Sequence, residues 1–451
     1  MTAATYFFDR ALLGSRVAHN VRMSANRDGV IDSVESDAAC AATDVRYAAA
    51  LAGVPNVHSH AHQAAMAGRA ERRGQHVDSF WTWRDVMYRF ALAMTAEQFS
   101  AITTALFADM LEGGYTCVGE FHYLHHHPAG AHYDDVAELG RRAVAAAEDT
   151  GIAMTLLPVL YCHGDIGQVP AGDHQRRFVT GTDAFLDLLA SSAAHTARCP
   201  HARIGVAPHS LRAVDTATLN TVLDASGLPD ETPVHIHVAE QTAEVETARR
   251  VLGQTPVDHL LRTCQVNQHW CLIHATHTTP DELDGIAESG AVVGLCPTTE
   301  ANLGDGIFNA VHYRGALAVG SDSNVCTDPA EEVRWLENTQ RLQHRQRNVL
   351  GTPAAGTGCA LLAAIQSGGA QALNQPTGAL EPGRRADFVT LDPDMAGPLG
   401  DDVFDAYVFS AGRRAIQDVF VAGERKVIEG SHINRDALRT AARRALESLN
   451  V

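Results

Sequence analysis

Val54-Pro55-Asn56-Val57-His58-Ser59-His60 is a short apolar run that ends in two histidines two residues apart. Read as a strand, it turns the side chains at i and i+2 to the same side. His58 and His60 would then present two imidazoles to one point. An HxH pair alone is a weak metal signal, and buried core histidines are its bland rival. Its weight comes from the residues that close the other β-rich runs of the chain. Eight such runs alternate with helix-like segments: Val54–His58, Tyr115–Phe121, Ala153–Leu160, Ile204–Ala207, Val234–Val238, Trp270–His274, Ala291–Leu295 and Ala316–Gly320. The segments between them, such as Ala96–Glu112, Asp134–Asp149, Asp215–Ala225, Ala243–Leu252 and Pro280–Glu288, carry helical composition. That alternation predicts an α/β fold, a parallel (β/α)8 TIM barrel, whose catalytic groups sit at the carboxyl ends of its strands. His58, His60, Glu120, His209, His237, Glu240, His274 and Asp322 all fall at or just past such ends.

The flanks read differently. Residues 1–52 hold short strands and turns, one at Asn26-Arg27-Asp28-Gly29. From residue 376 to 451 the chain returns to strands and hairpins and closes on a helix at Asp436–Leu449. Neither piece is large enough for its own core. The expectation is one small β-sandwich domain built from both termini beside a barrel spanning residues 53–375. Between the first two barrel strands, Arg69 to Arg89 is a long, aromatic-rich βα connection (Asp78-Ser-Phe-Trp-Thr-Trp-Arg). Such a loop is expected to cover the active-site face.

With 451 residues, 45% of them apolar and 20% charged, the chain is long enough for a large core. A formal net charge of −18 argues against general binding to nucleic acid or anionic membranes. The nine cysteines include no C-x-x-C pair and read as reduced thiols. The N-terminal residues lack a basic stretch followed by an apolar one, and no apolar run reaches the roughly 18 residues a membrane helix needs. A cytoplasmic location is expected.

Three imidazoles with one carboxylate suit a borderline divalent ion such as zinc. Asp322, in Gly-Ser-Asp-Ser, can also accept a proton from water. Glu240 follows His237 by three residues and could donate a proton to a substrate nitrogen. His274 could hold or polarise the attacking water. Together these fit hydrolytic attack on a C=N carbon with loss of ammonia. The fourth strand ends Ala207-Pro208-His209-Ser210 without a lysine, which favours one metal over a bridged pair. Other features read more blandly: His125-His126-His127 as a solvated loop, the Arg72/Arg73 pair as a loop face, Trp81 and Trp83 as lid packing, and Glu120 as either a substrate contact or a strand-end salt bridge. His62 extends the first motif to HxHxH, which leaves His60 and His62 as an alternative ligand pair.

The strand-ordered set His58-Ser-His60, His237, His274 and Asp322 resembles the amidohydrolase superfamily. Within it, His58-Ser-His-Ala-His-Gln-Ala-Ala-Met-Ala-Gly68, Asp78-Ser-Phe-Trp-Thr-Trp-Arg-Asp-Val-Met-Tyr, Gly119-Glu-Phe-His-Tyr, Cys296-Pro-Thr-Thr-Glu-Ala-Asn-Leu-Gly and Glu331-Glu-Val-Arg-Trp resemble the formimidoylglutamate deiminases of histidine degradation. The resemblance implies hydrolysis of N-formimidoyl-L-glutamate, a small dicarboxylate, to N-formyl-L-glutamate and ammonia. It implies one zinc per subunit, with Fe2+ as the alternative, on His58, His60, His237 and Asp322. Glu240 would shuttle protons, and His274 with Asp322 would activate water. Substrate contacts map onto Gln63, Arg84, Tyr123, His209 and Arg212, and a homodimer is implied. A heterocyclic base or a related N-formimidoyl amino acid is the competing substrate class. His62, Ala64 and the stretch after Asp322 depart from the family pattern and bear on substrate fit.

Overall fold

Buried parallel strands alternating with helices fill the middle of the chain in the computed structural model, which describes residues 4–73, 77–396, 400–449 and 451. Four strands from the N-terminal piece come first: β1 (Ala4–Leu13), β2 (Arg16–Ala25), β3 (Ile31–Glu35) and β4 (Val45–Ala52). The barrel strands follow as β5 (Val54–Ser59), β6 (Tyr115–His122), β7 (Ala153–Leu160), β8 (Ala202–Ile204), β9 (Ala207–Pro208), β10 (Val234–Val238), β11 (Trp270–His274), β12 (Val292–Leu295) and β13 (Ala316–Val319). Their order, β10-β11-β12-β13-β5-β6-β7-β8, is parallel throughout. The ring closes through single bridges from Val206 to Val234 and from Ser210 to His237. Most barrel strands are buried on both faces, as strands covered by helices outside and packed side chains inside must be.

The expected fourth strand, Ile204–Ala207, is divided. β8 pairs with β7 at Met154–Leu156, whereas β9 pairs with β7 again at Val159 and Leu160. Gly205 sits at the break. A Cβ there would lie 2.5 Å from Leu157 Cδ2 and 2.9 Å from Pro233 O, so only glycine allows the neighbouring strands so close. The break places His209 at the barrel mouth.

The helices between barrel strands are α1 (Phe80–Ala93), α2 (Ala96–Gly113), α3 (Glu138–Thr150), α4 (Thr182–Thr196), α5 (Thr216–Ala225), α6 (Thr242–Leu252), α7 (Pro256–Thr263), α8 (Pro280–Ser289) and α9 (Pro297–Leu303). After β13 come α10 (Pro329–His344) and α11 (Thr357–Ala372). Local chemistry sets several starts: Thr95 caps α2 through Gln98 N–H, Asp215 caps α5, and Thr279 with Glu282 forms a capping box on α8. Among the described residues no helix is long and apolar enough to cross a membrane.

Strands from both ends of the chain meet in one eight-stranded sheet. β14 (Phe388–Leu391), β15 (Ile416–Val421), β16 (Glu424–Ile428) and β17 (Ser431–His432) join β1–β4 in the order β17-β16-β15-β14-β4-β1-β2-β3. Its junction is the antiparallel β14–β4 pair, Phe388 opposite Ala52 and Leu391 opposite Ala49. Tyr6, Phe8, Tyr47, Phe388 and Phe420 form its aromatic core. The last helix, Arg435–Ser448, packs on α2, where buried Glu112 pairs with Arg413 and Arg439.

Arg177 is fully buried, and among the described residues it has no carboxylate partner. Its guanidinium donates to Ala91 O and Met94 O at the carboxyl end of α1, and to His126 O beyond β6 at 2.7 Å. These bonds fasten the covering helix to the barrel. Arg177→Met would strand three buried carbonyls, and is expected to cost about 3 kcal/mol of stability. A lower urea midpoint checks this; an unchanged midpoint contradicts it.

Candidate metal-dependent active site

The carboxyl ends of the barrel strands converge on one cluster. His58 Nε2 lies 3.1 Å from His60 Nε2, 3.0 Å from His237 Nε2 and 3.6 Å from Asp322 Oδ1, and His60 Nε2 is 3.3 Å from the same carboxylate oxygen. His274 Nε2 is 3.7 Å from Asp322 Oδ2. β5 and the end of β13 are held in register by reciprocal backbone bonds, Asp322 N–H to His58 O and His60 N–H to Asp322 O. Asn56 fixes the same junction through the N–H groups of His58 and Ser321. Ala239, His274 and Asp322 all have positive φ, of 52°, 69° and 46°. Such backbone costs about 1–3 kcal/mol per residue and concentrates where a side chain must be aimed.

The donor chemistry of this cluster fits a cation. His60 Nδ1 faces Phe121 O at 3.0 Å and His237 Nδ1 faces His209 O at 2.8 Å. A carbonyl can only accept, so both Nδ1 atoms carry the proton and both Nε2 atoms are bare. Two lone pairs and a carboxylate oxygen therefore crowd His58 Nε2, which can hold at most one proton. A divalent cation would relieve this crowding. Nitrogen and oxygen ligands about 2.0–2.1 Å from a shared tetrahedral ion sit roughly 3.3 Å apart, close to the four spacings given above around His58 and His60. Burial, reinforced by the neighbouring imidazoles, holds His58 and His237 far below the usual histidine range, and burial takes His60 to about 3. The rings are thus neutral, the form that binds metal. His62 is not in this cluster: its ring packs edge-on against Tyr123, and burial keeps it neutral.

Glu240 and His274 flank the cluster. Glu240 Oε2 accepts from Arg212 Nη2 at 3.1 Å. The turn that carries it is pinned by Glu244, whose two carboxylate oxygens accept the N–H groups of Ala239 and Glu240. His274 Nδ1 meets Glu300 Oε1 at 3.1 Å, and Cys296 N–H donates to that oxygen too. Burial lowers His274, but its bond to Glu300 and the charges of Glu240 and Asp322 outweigh that and push it up to about 10. Burial raises Asp322 to about 7. Asp305 is raised to about 9 by burial and the charge of Glu240, and it accepts from Gln241.

One pocket collects the remaining expected residues. Gln63, Arg84, Tyr123, His209 and Arg212 line it together with His60, His237, Glu240, His274 and Asp322. Gln63 Nε2 donates to the Tyr123 hydroxyl at 2.7 Å. Arg84, on α1, stacks over Trp81 with its Cζ 4.5 Å from the ring centroid. Its Nε is buried without a hydrogen-bond partner, and among the described residues the side chain has no ion pair. α1 closes the pocket with Phe80, Trp83, Met87 and Tyr88, so Arg69–Arg89 does lie over the barrel mouth; its residues 74–76 fall outside the described ones. Arg72 and Arg73 are exposed, and Trp81 supports Arg84 from outside.

Two sequence readings change. His125 and His126 are buried at 2% and 4% exposure, not solvated, because their rings face Val159 O and Val179 O and their N–H groups bond to Arg177 O. Glu120 does not line the pocket, and among the described residues it forms no salt bridge. It is fully buried, accepts Ala61 N–H at 2.7 Å, and burial raises it to about 8. Sequence reasoning misses Glu244, Glu300, Tyr161 and Tyr88. Glu244 and Glu300 do leave a trace, since each is an acid in the first turn of the helix that follows a site strand.

The amidohydrolase family profile matches residues 49–426. The chain is 46% identical to the formimidoylglutamate deiminase of Pseudomonas aeruginosa, over 95% of its own length and 96% of that protein. It superposes on the crystal structure of an amidohydrolase from Brucella melitensis with a TM-score of 0.94 and 44% identity, covering 99% of each chain. An adenosine deaminase from Xanthomonas campestris with bound zinc shares the fold at TM-score 0.82 and 23% identity, over 99% of this chain and 98% of that one. Strand order, the His/Asp cluster and a match across the whole barrel agree: this chain belongs to the amidohydrolase family.

Proposed function

We propose that this protein hydrolyses N-formimidoyl-L-glutamate to N-formyl-L-glutamate and ammonia, with His58, His60, His237 and Asp322 holding one zinc ion. The observation that carries this reading is the pocket's charge. Arg84 and Arg212 both face a cavity that also holds the His/Asp cluster, and among the described residues Arg84 has no carboxylate of its own. A substrate with two carboxylates and an amidine head supplies the partner that Arg84 lacks. Purines and pyrimidines carry no carboxylates and would leave Arg84 unpaired. The likeness to the deiminase of Pseudomonas aeruginosa supports the same substrate.

In this reading each side chain has one task. A bound zinc supplies Lewis acidity, which lowers the pKa of water from about 15.7 to roughly 7. His274 orients the attacking water, and the Asp322 carboxylate takes its proton. Glu240 delivers a proton to the leaving nitrogen, so that ammonia departs and the carbon keeps a carbonyl oxygen. Arg212 holds one oxygen of Glu240, which leaves the other free toward the substrate. Gln63, Tyr123 and His209 orient the amidine, while α1 keeps bulk water out. The same reading includes a cytoplasmic homodimer, which light scattering on the purified protein tests.

Product identity tests the reaction. Nuclear magnetic resonance should find N-formyl-L-glutamate with one ammonia per turnover. Glutamate plus formamide would mean that the other C–N bond breaks, and would overturn the assignment. Arg84→Met is expected to raise KM for formimidoylglutamate by about 100-fold, the scale of one charge-assisted contact, with its fold intact. An unchanged KM removes Arg84 from carboxylate binding.

A further inference from the structure

We propose that Tyr161, assisted by Tyr88, donates its hydroxyl proton to the substrate's side-chain carboxylate and thereby makes the pocket selective for a dicarboxylate; this rests on the function proposed above. Tyr161 follows β7 directly, Tyr88 lies on α1, and both line the pocket beside Arg84 and Arg212. Between them stands Gln175, at the end of the short turn Asp173–Gln175. Its amide has one orientation that works. Gly172 N–H, an obligatory donor, bonds to Gln175 Oε1 at 2.8 Å. The nitrogen Nε2 must therefore face the phenols, 2.6 Å from the Tyr161 oxygen and 3.5 Å from that of Tyr88.

An amide nitrogen donates and does not accept. Neither phenol can give its proton to Gln175, so each receives a hydrogen bond there and keeps its own O–H proton to give. Among the described residues no acceptor is bonded to either hydroxyl, although Tyr161 is 6% and Tyr88 5% exposed. Two buried O–H donors thus share one side of the pocket with the unpaired guanidinium of Arg84, whose Cζ is 5.6 Å from the Tyr88 ring centroid. The positive charges of Arg84 and Arg212 both bear on Tyr161. That side is rich in donors, which is the complement of a carboxylate. Arg212 is different. It is tied to Glu240 beside the reacting centre. Among the described residues, the donors left without a partner, Arg84 and the hydroxyl of Tyr161, are the ones offered to the side-chain carboxylate.

Tyr161→Phe removes one hydroxyl and keeps the ring that packs against His209. On N-formimidoyl-L-glutamate it is expected to raise KM about tenfold with kcat within about twofold, and the Tyr88/Tyr161 double phenylalanine variant is expected to raise KM further. On N-formimidoylglycine, which has no side-chain carboxylate, kcat/KM should match that of the unaltered enzyme. An unchanged KM for formimidoylglutamate overturns the proposal. So does an equal loss on both substrates, which would mean a general structural role, or a fall in kcat alone, which would place Tyr161 in the chemistry. If the unaltered enzyme releases no ammonia from formimidoylglutamate, the proposed function fails and takes this inference with it; turnover by the unaltered enzyme with no effect of Tyr161→Phe sinks this inference alone.

Discussion

Glu240→Gln is expected to lower kcat on formimidoylglutamate by about 10³-fold while the protein keeps its metal, because it removes a proton carrier and leaves the proposed ligands alone. The surroundings predict a clean substitution. Glutamine is isosteric, and its amide oxygen can still accept from Arg212 Nη2, which lies 3.1 Å from the present carboxylate. The turn does not depend on the Glu240 side chain, because Glu244 holds the N–H groups of Ala239 and Glu240. Metal analysis should therefore give the same content as the unaltered protein, and KM should shift less than kcat. A kcat within about tenfold of normal would remove Glu240 from proton transfer.

His237→Ala is expected to abolish both metal binding and turnover, with a loss in kcat/KM of at least about 10⁴-fold, since water would no longer be acidified at the site. The ring is oriented from behind by His209 O at 2.8 Å and points its bare Nε2 at His58. Removing it breaks the convergence of lone pairs that demands a cation. The strand itself should survive, because Val234, Ile236 and Val238 keep β10 anchored in the core. A thermal scan separates the cases. Added zinc should raise the midpoint of the unaltered apoprotein by mass action and leave that of the variant where it was. A variant that still gains stability from zinc, or still turns over, would show that the ion sits elsewhere.

Much of this site was legible because barrel chemistry follows strand ends, and strand ends can be read from local patterns. His58, His60, His237, His274 and Asp322 each close a β-rich run, so their order along the chain maps onto their convergence in space. The arginines were legible for another reason: Arg84 lies in a long aromatic connection after the first strand, and Arg212 just past the fourth. What escaped depends on contacts distant in sequence. The donor polarity of Tyr161 is set by Gln175 and, through it, by Gly172 N–H, which no local pattern reveals. His125 and His126 look solvated in sequence, yet Arg177, some fifty residues later, draws their backbone into the core. The divided fourth strand reflects close approach at Gly205 to Leu157 and Pro233, again a property of packing rather than of composition.

The most direct test is ammonia release by the zinc-loaded protein from N-formimidoyl-L-glutamate, with guanine and cytosine assayed alongside. The account predicts rapid release from formimidoylglutamate alone, lost when zinc is removed and restored when it is returned. Turnover of a base with silence on formimidoylglutamate would contradict it, leaving the barrel and its metal cluster in place but assigning the arginines of the pocket to some other task.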